Sequence, residues 1–93
     1  MLIGSLQMEL HLHSSQSLKE KRFVVKSLIS KIRNKFNVSV AEVDFLDKWQ
    51  RTCIGVAIVS NSKRLIDSVF NEVIGIIEKD MRVQLIDKII EVL

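Results

Sequence analysis

The chain opens on a period-2 pattern in which Leu2, Leu6, Met8, Leu10 and Leu12 alternate with Ser5, Gln7, Glu9, His11 and His13. That is the mark of a half-buried strand. Ser14 to Ser17 form a polar break, and Ser17 with Glu20 three residues later makes a capping box at the head of a helix predicted to run to about Lys35. At 100° per residue Leu18, Val25, Leu28, Ile29, Ile32 and Phe36 gather on one stripe, the face that must pack on a sheet. Val38 to Phe45 is rich in β-branched residues and predicts a second strand, followed by the turn Asp47, Lys48, Trp49, Gln50. Its alternation slips near Ala41, which predicts a bulge there.

Arg51 to Ser60 alternates again, with Ile54, Val56 and Ile58 on one side and the small Cys53, Gly55 and Ala57 on the other. From Asn61 or Ser62 a second helix places Leu65, Ile66, Val69, Val73, Ile76 and Ile77 on one face, with Phe70 and Ile74 widening the stripe. Val83 to Leu93 closes the chain as a strand with apolar residues of both phases. There is no repeat, proline or linker, so residues 1–93 read as one domain. Strand, helix, strand, strand, helix, strand is the order of the split βαβ, the α+β ferredoxin-like two-layer sandwich with an antiparallel sheet and both helices on one face. In that topology the first and third strands are central. Ser14–Arg22 and Asp47–Arg51 meet at one end, and the open sheet face carries Gln7, Glu9, His11, His13, Cys53, Gly55 and Ala57.

Composition narrows the function classes. Ninety-three residues with 47% hydrophobic and 27% charged side chains make a small folded domain with little room for a deep pocket, which disfavours most enzymes. With Cys53 as the one cysteine, neither an intramolecular disulfide nor a cysteine-built zinc module can form, and a reducing cytoplasm fits. The longest uncharged stretch, Thr52 to Ser62, is too short to span a bilayer, so no membrane partner is expected.

The net charge of +3 is unevenly placed. Between Leu18 and Lys35 lie Lys19, Lys21, Arg22, Lys26, Lys31, Arg33 and Lys35 against Glu20 alone, a local +6, so the remainder of the chain sums to −3. Lys19, Arg22, Lys26 and Arg33 fall within roughly a 60° arc and form a ridge along the helix. Such a ridge suits a nucleic-acid backbone, because each phosphate neutralised by Lys or Arg releases counterions. The bland alternative is a solvated face whose side chains snorkel over the sheet edge. Trp49, the only tryptophan, sits in a turn between Lys48 and Arg51. It reads as a lid over the end of the core with Arg51 or Arg22 on its ring and, compatibly with that, as a side chain that stacks on an unpaired base or anchors a partner surface.

The other candidates are weaker. The open face lacks the aromatics with which RNA-recognition motifs read bases. Its small side chains, together with Leu85, Ile86, Ile89, Ile90 and Val92 on the last strand, suit a homodimer. Glu9, His11 and His13 share a strand face about 6.6 Å apart per pair, a weak metal signal with no fourth ligand or orienting carboxylate beyond Asp44 or Asp47. Cys53 reads as a buried structural thiol. Ser14, Ser15 and Ser17 beside His13 lack the elbow, oxyanion loop and acid of a hydrolase, and Gly4, Gly55 and Gly75 are too scattered for a phosphate loop. No catalytic residue, metal or cofactor is expected.

Four segments in register carry a family resemblance: Ser17-Leu18-Lys19-Glu20-Lys21-Arg22, Val38-Ser39-Val40-Ala41-Glu42-Val43-Asp44, Trp49-Gln50-Arg51 and Gly55-Val56-Ala57-Ile58-Val59-Ser60-Asn61. Over almost the whole chain they resemble the YlxP-like family of small bacterial proteins. The resemblance implies a ferredoxin-like fold and a link to translation, since members tend to be encoded beside initiation and ribosome-maturation factors. It implies no catalytic site. The reading is a non-enzymatic RNA- or ribosome-binding accessory protein acting through Lys19, Arg22, Lys26, Arg33, Trp49, Gln50 and Arg51. The alternative is a homodimeric small-ligand-binding or regulatory domain, disfavoured because the turn His13-Ser14-Ser15-Gln16-Ser17 has no glycine to admit a ligand to the backbone.

Overall fold

The computed structural model describes all residues from Met1 to Leu93. Its elements are β1 (Leu2–His11), α1 (Leu18–Lys35), β2 (Ser39–Asp44), β3 (Arg51–Ser60), α2 (Lys63–Lys79) and β4 (Gln84–Val92). The strands form one antiparallel sheet in the order β2-β3-β1-β4, the ferredoxin-like sandwich that the element order predicts. Alternation sends Leu6, Met8, Leu10 and Leu12 from β1 and its following turn, and Ile54, Val56 and Ile58 from β3, into the layer beneath the helices. There they meet Leu28 and Ile32 of α1 and Ile66, Phe70, Val73, Ile74 and Ile77 of α2.

The helix ends follow from their caps. The Ser17 hydroxyl accepts from the Glu20 N–H at 3.1 Å, and the Glu20 carboxylate accepts in return from the Gln16 N–H at 2.6 Å. Ser62 caps α2 in the same way through the Leu65 N–H. α2 sits tightly on β1 because position 4 lacks a side chain: a Cβ on Gly4 would come within 2.5 Å of Ile66 Cγ2.

The bulge lies two positions beyond the predicted one. Pairing of β2 with β3 shifts between Glu42 and Asp44, so Val43 rather than Ala41 is the extra residue. The physical reason is that Val40 and Glu42 both keep the inward phase, Val40 for the core and Glu42 for a buried partner described below. Val43 is thereby laid over Gly55 on the open face, where a Cβ would be 3.0 Å from Val43 Cγ1. β4 is covered least: only Leu85 and Val92 are half-buried, Ile86, Ile89 and Ile90 are exposed, and the strand has β1 as its single neighbour.

Candidate nucleic-acid interface

The two helices hold different residues at the same place. The fourth residue of α2 is Ile66 and the fourth of α1 is Lys21, and both are fully buried. Lys21 Nζ donates to Glu42 Oε2 at 2.9 Å, to the carbonyls of Phe45 at 2.8 Å and Leu46 at 3.1 Å, and reaches that of Arg51 at 3.4 Å. Thr52 Oγ1 donates to the same Glu42 oxygen at 2.6 Å. A buried ammonium with three donors demands such partners. Here they lie on both limbs of the β2–β3 hairpin, so one charge fixes the hairpin against the helix. Phe45 is the one non-glycine residue with positive φ, 60°. That is an uncommon conformation for a bulky residue, and its carbonyl is the one Lys21 holds at the shortest distance.

Lys21 was not separable from the other charges by counting, yet the helical wheel carries the signal: it shares the stripe of Val25, Leu28 and Ile32. Its burial leaves the exposed part of α1 with six cations against Glu20. Lys19, Arg22, Lys26 and Arg33 are all exposed on one flank. Arg33 Nη2 donates to the Val40 carbonyl at 3.2 Å, which places this flank over edge strand β2. Lys19, Arg22 and Lys26 take part in none of the five ion pairs. On the opposite flank Lys31 lies 3.9 Å from Asp80, which Arg82 grips through Nε at 2.9 Å and Nη2 at 2.6 Å, and Lys35 lies over the Phe36 ring, 5.6 Å from its centroid. The Arg82 hydrogen bonds hold the Asp80 carboxyl at about 2, well below the ordinary range.

The head of α1 and the hairpin turn meet as the topology requires. The Leu12 N–H donates to the Gln50 carbonyl at 2.9 Å, and Gln50 Nε2 donates to the Ser15 carbonyl at 3.1 Å. The seven residues singled out in the sequence then divide. Lys19, Arg22 and Lys26 are free cations, Trp49 stands exposed at the turn, Arg33 and Gln50 spend donors on backbone carbonyls, and Arg51 is paired with Glu9 Oε2 at 2.7 Å. Trp49 does not lid the core. Its exposure is 54%, and the ring that Arg51 covers, at 3.9 Å from the centroid, is that of Phe45. Arg51 opens β3, in which Cys53 pairs with the Asp44 next to Phe45, and it is fixed toward β1 by Glu9, so it covers Phe45 and leaves the tryptophan to solvent. Two further apolar side chains are exposed near this end, Leu46 in the turn and Phe23 on α1 between Arg22 and Lys26 in sequence.

The open sheet face is of opposite character. Residues opposed across antiparallel strands share a face, and the register groups Glu9 and Asp87 with Cys53 and Asp44, and Glu91 with Ser5. Four carboxylates against Arg51 repel a phosphate chain there. Cys53 is buried, and its thiol is pushed up by burial first and then by Asp44 and Glu9. The Glu9, His11, His13 run does not converge: Glu9 is held by Arg51, His13 Nε2 is 2.8 Å from Gln84 Oε1, and the two imidazoles meet edge to face at 4.2 Å. No helix is long and apolar enough to cross a membrane.

Comparison with known proteins matches this architecture. The solution NMR structure of a de novo designed protein with ferredoxin fold superposes with a TM-score of 0.60 over 98% of this chain and 86% of that one; at 9% identity the likeness is one of fold. The Bacillus subtilis (strain 168) protein called "Uncharacterized protein YlxP" is 39% identical over 77 residues, which span 83% of this chain and 84% of that protein. The chain is thus YlxP-like, and since its residues 3–89 match the family described as "Protein of unknown function (DUF503)", it belongs to that family.

Proposed function

We propose that the protein is a non-enzymatic, cytoplasmic RNA- or ribosome-binding accessory factor, linked to translation or ribosome maturation, that docks through the β2-side flank of α1. The observation that carries this reading is the row of unpaired cations Lys19, Arg22 and Lys26 on a helix with one exposed acid. A row of this kind neutralises successive phosphates and makes affinity fall with salt. The carboxylates Asp44, Asp87 and Glu91 of the open face favour docking through α1 and the adjoining turn, which Lys21 fixes through the Phe45 and Leu46 carbonyls. The translational link draws on the resemblance to the YlxP-like family.

The test is co-sedimentation with small ribosomal subunits at low and moderate salt, wild type beside the Lys19→Glu, Arg22→Glu, Lys26→Glu variant. Binding that weakens with salt and is lost in the variant is the expected result. Absence of wild-type binding at low salt removes direct small-subunit docking. A homodimer is the second reading, supported by the exposed Ile86, Ile89 and Ile90 on a strand with one free edge. Sedimentation equilibrium of wild type and Ile89→Lys decides it.

A further inference from the structure

The turn between β2 and β3 and the loop after β1 border a shallow, open cleft of about 530 Å³, lined by His11, Ser15, Gln16, Lys48, Trp49, Gln50 and Arg51. Its size falls in the range of small-ligand sites. Trp49 is its only apolar wall, and Lys48 and Arg51 bring positive charge to the same lining. The walls are held by fixed contacts. Gln50 is tied to the Ser15 carbonyl at 3.1 Å, Ser15 Oγ donates to the Ser17 carbonyl at 3.1 Å, Arg51 is clamped between Glu9 and Phe45, and Lys21 binds the carbonyls of Phe45 and Leu46. What these ties leave without a partner is the Trp49 ring face, the Lys48 ammonium, the His11 ring nitrogens and the Gln16 side chain. A flat π surface, a free cation and polar hydrogen-bonding groups are the complement of one nucleotide, with its base on the indole, its phosphate on the ammonium and its base edge on the polar groups. Gln16 at the rim is three residues from Lys19, so the cleft lies at the head of the cationic row, and that row runs on for about 21 Å to Arg33 at 1.5 Å per residue.

We infer that this cleft takes a single unpaired nucleotide of the bound RNA, so that the ligand class is single-stranded RNA, or a loop or bulge, rather than uninterrupted duplex. The inference rests on the RNA-binding reading above and adds to it a preference that the α1 cations cannot produce, because phosphates are present in both kinds of strand. A base inside a duplex has both faces covered by its neighbours and cannot reach Trp49.

The experiment titrates wild type and Trp49→Ala with a fluorescently labelled 12-nucleotide single-stranded RNA and with the same sequence fully paired, reading anisotropy at fixed salt. Indole fluorescence of the wild type is read with unlabelled RNA, since Trp49 is the only tryptophan. The expected result is quenching by the single strand but not by the duplex, at least fivefold tighter binding of the single strand, and loss of that preference in Trp49→Ala. Truncating the indole weakens single-strand binding by about fivefold to a hundredfold and leaves duplex binding within twofold. Equal affinity for both RNAs, unchanged in Trp49→Ala, overturns the cleft assignment and leaves the α1 reading standing. Failure of both RNAs to bind at low salt overturns both. Trp49 is exposed, so the variant folds, and unchanged circular dichroism verifies it.

Discussion

The two βαβ halves of the fold carry helices of nearly equal length, 18 residues in α1 and 17 in α2, on the same face of one sheet. α2 balances Lys63, Arg64 and Lys79 against Asp67, Glu72 and Glu78, whereas α1 sets seven cations against Glu20. The architecture therefore needs no net charge on its helices; α2 meets every packing demand with none. The excess on α1 is not a by-product of the fold. A second contrast lies at the buried fourth position, where α2 uses Ile66 to fill a space that Gly4 leaves and α1 uses Lys21 to hold a hairpin. One half is built for packing, and the other spends a buried charge on positioning a surface.

Placing the same side chain at both equivalent positions separates packing from positioning most strongly. Lys21→Met keeps volume but leaves the Glu42 carboxylate without its counter-charge, with Thr52 Oγ1 its remaining donor, and the Phe45 and Leu46 carbonyls without the ammonium, and should cost about 3–5 kcal/mol in urea unfolding. Ile66→Met is a near-isosteric core exchange that should cost less than about 1.5 kcal/mol. Adding Glu42→Gln to Lys21→Met removes the stranded charge and should recover much of the loss; equal costs for the two single variants would show that Lys21 acts as filler.

Next in size is the electrostatic tie at the end of α2. Asp80 titrates at about 2 in the fold against 3.8 for the free group. A depressed carboxyl stabilises the fold fully above the unfolded value and loses that contribution as pH falls through the folded one. About 2 kcal/mol should thus disappear between roughly pH 4 and pH 2. In Asp80→Asn the same amount should be missing at pH 7, and the pH dependence across that window should flatten. Thermal unfolding at pH 7 and pH 2.5 measures both.

The charge contrast predicts a smaller but directional effect on binding. Arg22→Glu with Lys26→Glu should weaken RNA affinity more than tenfold and make the plot of log K against log salt shallower by about 1.4, at about 0.7 per phosphate contact on a single strand. Lys63→Glu with Arg64→Glu on α2, an identical change in net charge, should stay within twofold. Equal losses would mean that only the total charge matters. Smallest of all, Trp49→Ala should shift unfolding stability by no more than about 0.5 kcal/mol, because an exposed turn side chain contributes little to the fold.

Much of this was legible in the sequence because two periodicities do separate jobs. Period 2 in Leu2–Leu12 and Arg51–Ser60 gave the central strands and their faces, and period 3.6 gave both helices and the cationic row on α1. What escaped were choices among partners. Counting charges groups Lys21 with its neighbours, although its place on the apolar stripe betrays it. That Arg51 lies on Phe45 rather than Trp49 depends on Glu9, which is 42 residues away in sequence. The bulge fell at Val43 rather than Ala41 because Glu42 must point inward to meet Lys21, a constraint imposed by another element.

The anchoring of the hairpin by Lys21 has a calorimetric consequence. Sequence separations of 21 to 30 residues link this side chain to its acceptors, so the turn is ordered by the fold itself before any ligand arrives. A surface set in advance loses little conformational entropy on association. Titration calorimetry should therefore give a small heat-capacity change, without the large negative value of a segment that folds as it binds.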